Sequence, residues 1–282
     1  MKSGTNNPLF ILTLTTIPSR LISPHQFDIQ YCIDSLLNLN YDNYEIHFNI
    51  PHTFKLTGED YVLPEWLIEY GEKYEKLKIF RMEDLGSVTK LIPTLKRITD
   101  PDQYILVVDD DIVYRENLIE EHLKNRLAWP DRAIGYDGMR SRNEDGTFAS
   151  HFGDSRDYYY SSNHRNSLVD ILQHYKSVSY VRKFFGEDFY DFFDEYGTWC
   201  DDKSVSSYLA KNRIPRMVSF YEDDPVATDL KHWHEIVGKS FPIVRTTSHE
   251  RNEGCNVHRA NDNNEDKFKK LYTFLDNGYS QQ

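Results

Sequence analysis

The chain has 282 residues, enough for one large α/β domain or a domain with an appendage around a sizeable core. Its 33 Lys and Arg against 45 Asp and Glu leave a formal charge of -12, a surface that repels phosphate backbones and sets nucleic acid aside as a partner. The cysteines Cys32, Cys200 and Cys255 are odd in number, widely spread and without a CxxC pair, which argues against a disulfide framework or a structural zinc site.

The polar N-terminus lacks a basic n-region followed by an apolar core, and no stretch approaches a membrane span. The expectation is a soluble, cytoplasmic chain without an integral membrane segment. Residues 9–14 read as an apolar strand that runs into Thr15-Thr16-Ile17-Pro18-Ser19-Arg20. Amides and hydroxyls of such a loop can cradle a base or ribose, and Arg20 can pair with a phosphate. A plain strand-to-helix connection would look the same. Residues 27–39 have helical spacing, with Phe27, Tyr31, Leu36 and Leu39 expected to face a sheet.

Residues 44–50 form a second strand, stopped by Pro51, and 64–76 a helix with Pro64 near its first turn. A third short strand at 77–81 leads into the loop 82–90. There Gly86 loosens the chain, Thr89 is expected to cap the next helix and Lys90 to begin it. A lysine in a first turn opposes the helix dipole, a local conflict that hints at function. A surface lysine lying along the helix is the plainer reading.

The run 105–108 is β-branched and short, the mark of a buried parallel strand, and it ends in Asp109-Asp110-Asp111. Three adjacent carboxylates repel, and desolvating them is costly without a positive partner. Alternation along an extended chain would point Asp109 and Asp111 the same way, able to share one hard cation such as Mg²⁺ or Mn²⁺. Ligands of open α/β sheets bind outside the carboxyl ends of strands, where these acids lie. A solvated acidic turn is the bland alternative.

A helix at 115–129 and a strand at 132–136 follow. Residues 140–166 read as a long irregular loop, whose Asp157-Tyr158-Tyr159-Tyr160 would line an acceptor pocket or form an exposed edge. A helix at 187–196 precedes Asp201 and Asp202, which head another helix, where the dipole favours their charged forms. A simple N-cap pair would look alike. A strand at 214–220 precedes a tail with His232, His234, His249 and His258, of which His232 and His234 have alternate spacing suited to chelation, and a last helix at 266–275. The alternation of strands and helices implies a mostly parallel, doubly wound sheet.

Six pieces in order then carry a resemblance: Leu12-Thr-Leu-Thr-Thr-Ile-Pro-Ser-Arg20, Tyr44-Glu-Ile46, Asn49-Ile-Pro51, Asp84-Leu-Gly-Ser-Val-Thr-Lys90, Val107-Val-Asp-Asp-Asp-Ile-Val-Tyr114 and Trp199-Cys-Asp-Asp202. The chain resembles GT-A fold nucleotide-sugar glycosyltransferases of the family-2 type, such as the small stand-alone enzymes of bacteria and large DNA viruses. The likeness covers about residues 8–116 and 197–215.

It implies an α/β, Rossmann-like, mostly parallel sheet flanked by helices. The GT-A domain would span 1–221, with a nucleotide-binding half at about 8–116 and an acceptor half at about 117–221, and 222–282 would be a C-terminal extension packed on it. By the same resemblance, Thr15, Thr16, Pro18, Arg20, Asn49 and Pro51 would hold base and ribose, with Asp84 and Lys90 near the diphosphate. Asp109 or Asp110 would touch the ribose or a metal-bound water, and Asp111 would bind Mn²⁺ or Mg²⁺ directly. His249, with His258 behind it, would be a third ligand. Asp202, with Asp201 second, would be the catalytic base, although the family more often has Glu-Asp there.

The implied activity is inverting transfer of a sugar from a nucleoside diphosphate, by family habit UDP, to a hydroxyl acceptor on a glycan. Two rivals stand beside it. In a haloacid dehalogenase-like phosphohydrolase Asp109 would be the nucleophile, Asp111 the acid/base, Lys90 a phosphate ligand and Asp201-Asp202 the distal metal acids, but there the acid strand usually comes first in the chain. A non-catalytic carbohydrate-binding protein on the same fold would leave both carboxylate sets without a task.

Overall fold

The computed structural model describes residues 7–22, 26–141, 158–160, 166–196, 200–220, 270–271 and 273–275. In chain order the first part holds β1 (Phe10–Leu14), α1 (Pro18–Leu21), α2 (Gln26–Leu37), β2 (Tyr44–Pro51), β3 (Thr53–Phe54), β4 (Glu59–Asp60), α3 (Glu65–Lys73), β5 (Leu77–Met82), α4 (Ile92–Arg97) and β6 (Tyr104–Val107). The second part holds α5 (Leu118–Ala128), β7 (Ala133–Gly135), β8 (Asp137–Met139), β9 (Tyr158–Tyr160), β10 (Ser167–Leu168), β11 (Ile171–Leu172), β12 (Val178–Val181), α6 (Asp188–Tyr196), α7 (Asp201–Lys211) and β13 (Arg216–Val218).

The main sheet has eight strands in the order β10-β13-β7-β12-β6-β1-β2-β5. β5, β2, β1 and β6 are parallel neighbours. β12 lies antiparallel between β6 and β7, β13 is parallel to β7, and β10 closes the edge antiparallel to β13. Only β12 and β10 oppose the common direction, so the sheet is mostly parallel, as expected from the sequence. Strands from both parts of the chain join in this one sheet. β11, β8 and β9 form a separate three-stranded sheet, with β9 on its edge, and β3 pairs with β4. Of Asp157-Tyr158-Tyr159-Tyr160, only the last three lie in the described residues, as that edge strand.

Both faces of the sheet are covered, which is why the central β1 and β6 read as nearly continuous apolar runs, whereas β2 and β5 interleave apolar with polar residues. Leu106 and Val108 pack in one cluster with Phe10, Leu12 and Leu14 of β1, Ile33 and Leu36 of α2 and Leu118 of α5. Ile105 and Val107 pack in the other with Leu91, Tyr180 of β12, Phe189 of α6, and Val205 and Tyr208 of α7. The face that α2 buries is Ile29, Cys32, Ile33 and Leu36, whereas Tyr31 is only partly covered. Tyr31 was expected to face the sheet. Cys32 and Ile33 take that place because they continue the spacing from Ile29 to Leu36.

Of the expected C-terminal extension, only 270–271 and 273–275 lie in the described residues, and they are helical. Leu271 joins the second cluster, and the Phe274 ring meets Phe192 and Tyr196 edge-on, each at 5.4 Å. No helix of the described residues is long and apolar enough to cross a membrane.

Candidate functional site

β1 has β2 on one side and β6 on the other, so the chain order reverses direction at β1 and opens a crevice beyond the carboxyl ends of β1 and β6. That crevice is a cavity of about 320 Å³. Its walls bring together Thr15, Thr16, Arg20, Asp84, Lys90, Asp109, Asp110, Asp111, Asp201 and Asp202, all of them site candidates from the sequence. Pro18, Asn49 and Pro51 are not in the lining. Pro18 is buried in α1, and Pro51 ends β2. His249, His258, His232 and His234 lie outside the described residues.

The acid run does not stay extended. The chain turns at Asp110 and Asp111, and Asp109 and Asp111 pair with different cations of the protein. Arg20 spans Asp110 and Asp111, with Nη1 on Asp110 and Nη2 3.1 Å from Asp111 Oδ2. Lys90 Nζ takes Asp109, 2.5 Å from Oδ1, and reaches across to Asp201 Oδ2 at 2.9 Å. The sequence placed Lys90 and Thr89 at the start of a helix. They close a 3₁₀ turn at Gly86–Lys90 instead, and α4 begins after Leu91 with Pro93 in its first turn. The supposed conflict of Lys90 with a helix dipole therefore disappears.

Thr89 caps no helix. Its hydroxyl accepts the Leu85 N–H at 2.9 Å and donates to Asp84 Oδ1 at 3.4 Å. Asp84 also accepts the N–H groups of Lys55 (2.9 Å) and Gly86 (2.8 Å), and Gly86 has φ 71°, a conformation that favours glycine. Behind this turn Asn49 is fully buried and donates to Thr13 and Thr94 (3.0 Å each) and to the Lys90 carbonyl (3.2 Å), while Arg97 donates to its Oδ1 at 2.6 Å. Asn49 thus holds the backbone of Lys90 from behind the cavity.

Asp201 and Asp202 open α7 after Cys200, where unpaired N–H groups and the dipole favour negative charge. Their partner is His174, which no sequence pattern singled out. His174 Nδ1 lies 2.6 Å from Asp201 Oδ2 and 2.8 Å from Asp202 Oδ1. Its backbone N–H donates to Asp202 Oδ1 at 3.0 Å, and its Nε2 meets the Tyr180 hydroxyl at 2.8 Å. His174 sits in the 3₁₀ turn His174–Lys176, which ends at Ser177 with φ 74° and ψ 141°. That conformation is strained for a residue with a Cβ and costs about 1–3 kcal/mol. The Ser177 N–H to the His174 carbonyl (2.7 Å) and the His122 Nε2 contact to Ser177 Oγ (2.8 Å) hold it.

The two acid groups are also tied through the backbone. The Asp109 N–H donates to the Tyr114 hydroxyl (2.9 Å), which donates to the Tyr175 carbonyl (3.0 Å), and the Cys32 thiol donates to the Asp109 carbonyl (3.3 Å). Tyr175 in turn donates its hydroxyl to Asp137. Cys32 and Cys200 are both free thiols.

The electrostatics follow from burial and these pairs. Burial raises Asp109, Lys90 opposes it, and Asp111 and Asp201 add to the rise, leaving its carboxyl pushed up to about 6. Burial also raises Asp110 against the pull of Arg20. Asp201 goes the other way: burial would raise it, but Lys90 and then His174 hold it well below the usual carboxylate range. For His174, burial disfavours the imidazolium, yet Asp201 and then Asp202 push its pKa up to about 9.

The lining holds six aspartates and two cations, Arg20 and Lys90. Asp110 Oδ2 is buried without a hydrogen-bond partner. Surplus charge of this sign, on hard oxygen donors, suits a divalent cation of the Mg²⁺ or Mn²⁺ kind. Among the described residues, His174, Asp201 and Asp202 form the group whose ligand atoms lie within 4.8 Å of one another. A protonated imidazole has no lone pair to give, and Lys90 already fills part of that group, so it reads as an ion-pair cluster rather than a metal centre.

Besides His174, which lies behind the wall, sequence reasoning missed four residues of the lining. Phe54 and Tyr61 come from the β3–β4 hairpin, and Gln173 and Tyr175 flank His174. The Tyr61 hydroxyl donates to the Thr16 carbonyl (3.0 Å).

No family model matches the chain, and no curated protein does. Similar solved structures include residues 1–349 of S. aureus TarS in complex with UDP, at 14% identity over 77% of this chain and 59% of that one (TM-score 0.45). The same TarS fragment in complex with UDP-GlcNAc is 13% identical over 78% of this chain and 57% of that one (TM-score 0.46). A third is 4-diphosphocytidyl-2C-methyl-D-erythritol synthase from Anaerococcus prevotii DSM 20548, at 12% identity over 83% of this chain and 98% of that one (TM-score 0.46). This chain thus spans under two thirds of the two TarS complexes. These likenesses are distant, and the fold rests on the strand order rather than on them.

Proposed function

We propose that the protein is a metal-dependent inverting glycosyltransferase that moves a sugar from a nucleoside diphosphate, UDP by preference, to a hydroxyl acceptor on a glycan. The observation that carries this reading is the pairing of two carboxylate groups across one cavity. Asp109–Asp111 stand at the end of β6, Asp201 and Asp202 at the head of α7, and Lys90 bridges them at 2.5 and 2.9 Å.

Asp109 Oδ2 and Asp111 Oδ1 accept no hydrogen bond among the described residues. They are the oxygens that would hold Mn²⁺ or Mg²⁺, which when bound would neutralise the diphosphate leaving group. Arg20 and Lys90 supply further positive charge to the phosphates. The aromatic wall of Phe54 and Tyr61 suits a nucleobase.

The base is Asp202. Asp201 is committed to two cations and holds its proton too weakly to serve. Asp202 spends Oδ1 on His174 and lines the cavity, and its Oδ2 would accept the acceptor's hydroxyl proton. One base on one side of the anomeric carbon gives a single displacement and inversion.

Melting temperature in the presence of UDP, GDP, CMP and dTDP, with and without Mn²⁺, tests the donor site, because a ligand of the native state must raise it. A metal-dependent rise for one nucleotide, abolished in Asp111→Ala, is expected. A chain that responds to none of them is not a nucleotide-sugar transferase. One contact favours the phosphohydrolase reading, the short Lys90–Asp109 pair. The antiparallel β12 beside β6 and the mid-chain place of β6 speak against it. Mg²⁺-dependent hydrolysis of a generic phosphomonoester would reverse the preference.

A further inference from the structure

Gln173 follows β11, one position before His174, and lines the cavity. Only 8% of the residue is exposed, yet its carboxamide makes no hydrogen bond with the described residues. Its backbone N–H is used, donating to the Asp137 carbonyl at 3.0 Å, so the position of the residue is fixed while its amide is left open. A carboxamide on the wall of a cavity with no protein partner is open to a ligand's polar groups. Neighbouring polar side chains of the lining are already engaged: Thr15 with the Asn49 carbonyl, Arg20 with Asp110 and Asp111, and Lys90 with Asp109 and Asp201.

The next residue's N–H donates to Asp202 Oδ1 at 3.0 Å, which sets Gln173 beside the base and across from the acid run at the end of β6. In a glycosyl transfer the donor sugar lies in that interval, between the groups that hold the diphosphate and the base. A carboxamide both donates and accepts, so it matches a sugar hydroxyl, which does the same. We propose that Gln173 is a specificity-determining residue that hydrogen-bonds a hydroxyl of the donor sugar, an assignment that rests on the transferase reading above. A sugar lacking that hydroxyl, or presenting it on the other face of the ring, forgoes the hydrogen bond and is discriminated against.

The test is calorimetric titration of the wild type, Gln173→Met and Gln173→Asn with Mn²⁺ present. The ligands are UDP and GDP alone, then UDP-glucose, UDP-galactose, UDP-N-acetylglucosamine and GDP-mannose. In Gln173→Met, affinity for the bare nucleotide is expected to stay within about twofold. Affinity for the preferred sugar nucleotide should fall about tenfold, and the preference between epimers should collapse. Gln173→Asn keeps the amide but withdraws it, and should show the same loss of preference if the methionine variant does not fold. An epimer preference equal to that of the wild type in a folded variant overturns the assignment and leaves the transferase reading standing. So does an equal loss for the bare nucleotide. A wild type that binds bare nucleotide but no sugar nucleotide, or neither, overturns both.

Discussion

Replacing His174 by Gln removes a charge while keeping an N–H donor of similar reach beside Asp201 and Asp202. In the native protein the imidazole has its pKa pushed up from 6.5 to about 9. A group whose pKa rises on folding adds stability that is fully present below its unfolded value and lost as pH climbs through its folded value. The window is therefore about pH 6.5 to 9, and the shift corresponds to about 3 kcal/mol at its lower end. Urea unfolding of wild type and His174→Gln reads this as a gap between the two proteins, on top of any pH-independent packing difference. The pH-dependent part should be about 3 kcal/mol near pH 6, about half that near pH 8, and close to zero above about pH 9.5. The buried setting of His174 supports using the whole shift, since water screens it little. A gap that stays flat from acid to alkaline pH would show a neutral native imidazole and refute the ion-pair account of this cluster.

Asp202→Asn should bind the donor nucleotide as the wild type does and transfer sugar at least about 100-fold more slowly, seen in single-turnover assays; a wild-type rate would move the base elsewhere. Lys90→Met strands Asp109 and Asp201 without their shared cation and should lower stability at neutral pH by about 3–5 kcal/mol. Part of that loss should return when Mn²⁺ is added, and melting curves with and without metal decide it. In β8, a Cβ on Gly138 would lie 2.7 Å from the Ile171 carbonyl oxygen and 2.9 Å from the Val169 side chain. Gly138→Ala should therefore cost about 1–3 kcal/mol in urea unfolding, with an unchanged midpoint counting against such close packing.

The strands that build the crevice were legible because burial on both faces writes itself into local sequence. β1 and β6 are apolar runs of strand length, and β2 and β5 are short stretches whose apolar residues are interleaved with polar ones. The acids at the end of β6 were legible for a different reason, since three adjacent carboxylates on a strand end demand a partner wherever they fall. What that partner would be was not legible. Arg20 lies 90 positions from Asp110, and Lys90 meets Asp201 only because the turn before α4 and the head of α7 converge, so no local spacing records either pair.

β12 escaped notice because its four residues, Val-Ser-Tyr-Val, are too few for a period to declare itself, and its antiparallel place between β6 and β7 depends on strands elsewhere. His174 escaped with it: an isolated histidine between Gln173 and Tyr175 has no signature of its own. Alternation presumes that the chain stays extended, and here it turns at Asp110 and Asp111, so the separate ion pairs of Asp109 and Asp111 left no mark in the spacing. Thr89 was misjudged as a cap since its hydroxyl finds Asp84 five positions back.

The insertion of β12 beside β6 bears on how the protein folds. β6 sits in the middle of the sheet, and its two neighbours are far away in sequence: Phe10 pairs with Tyr104 on one side, Val181 with Tyr104 on the other. Until β12 docks, β6 is an open edge, a template for pairing with another chain. Contacts of such sequence separation close late and slowly. The docking that closes this edge also brings the turn after β11 against Tyr114, so the two acid groups meet in the same event. A chain stalled before β12 would carry the nucleotide-side acids, an exposed strand edge and no counterpart across the crevice, a species prone to aggregation and without a working site.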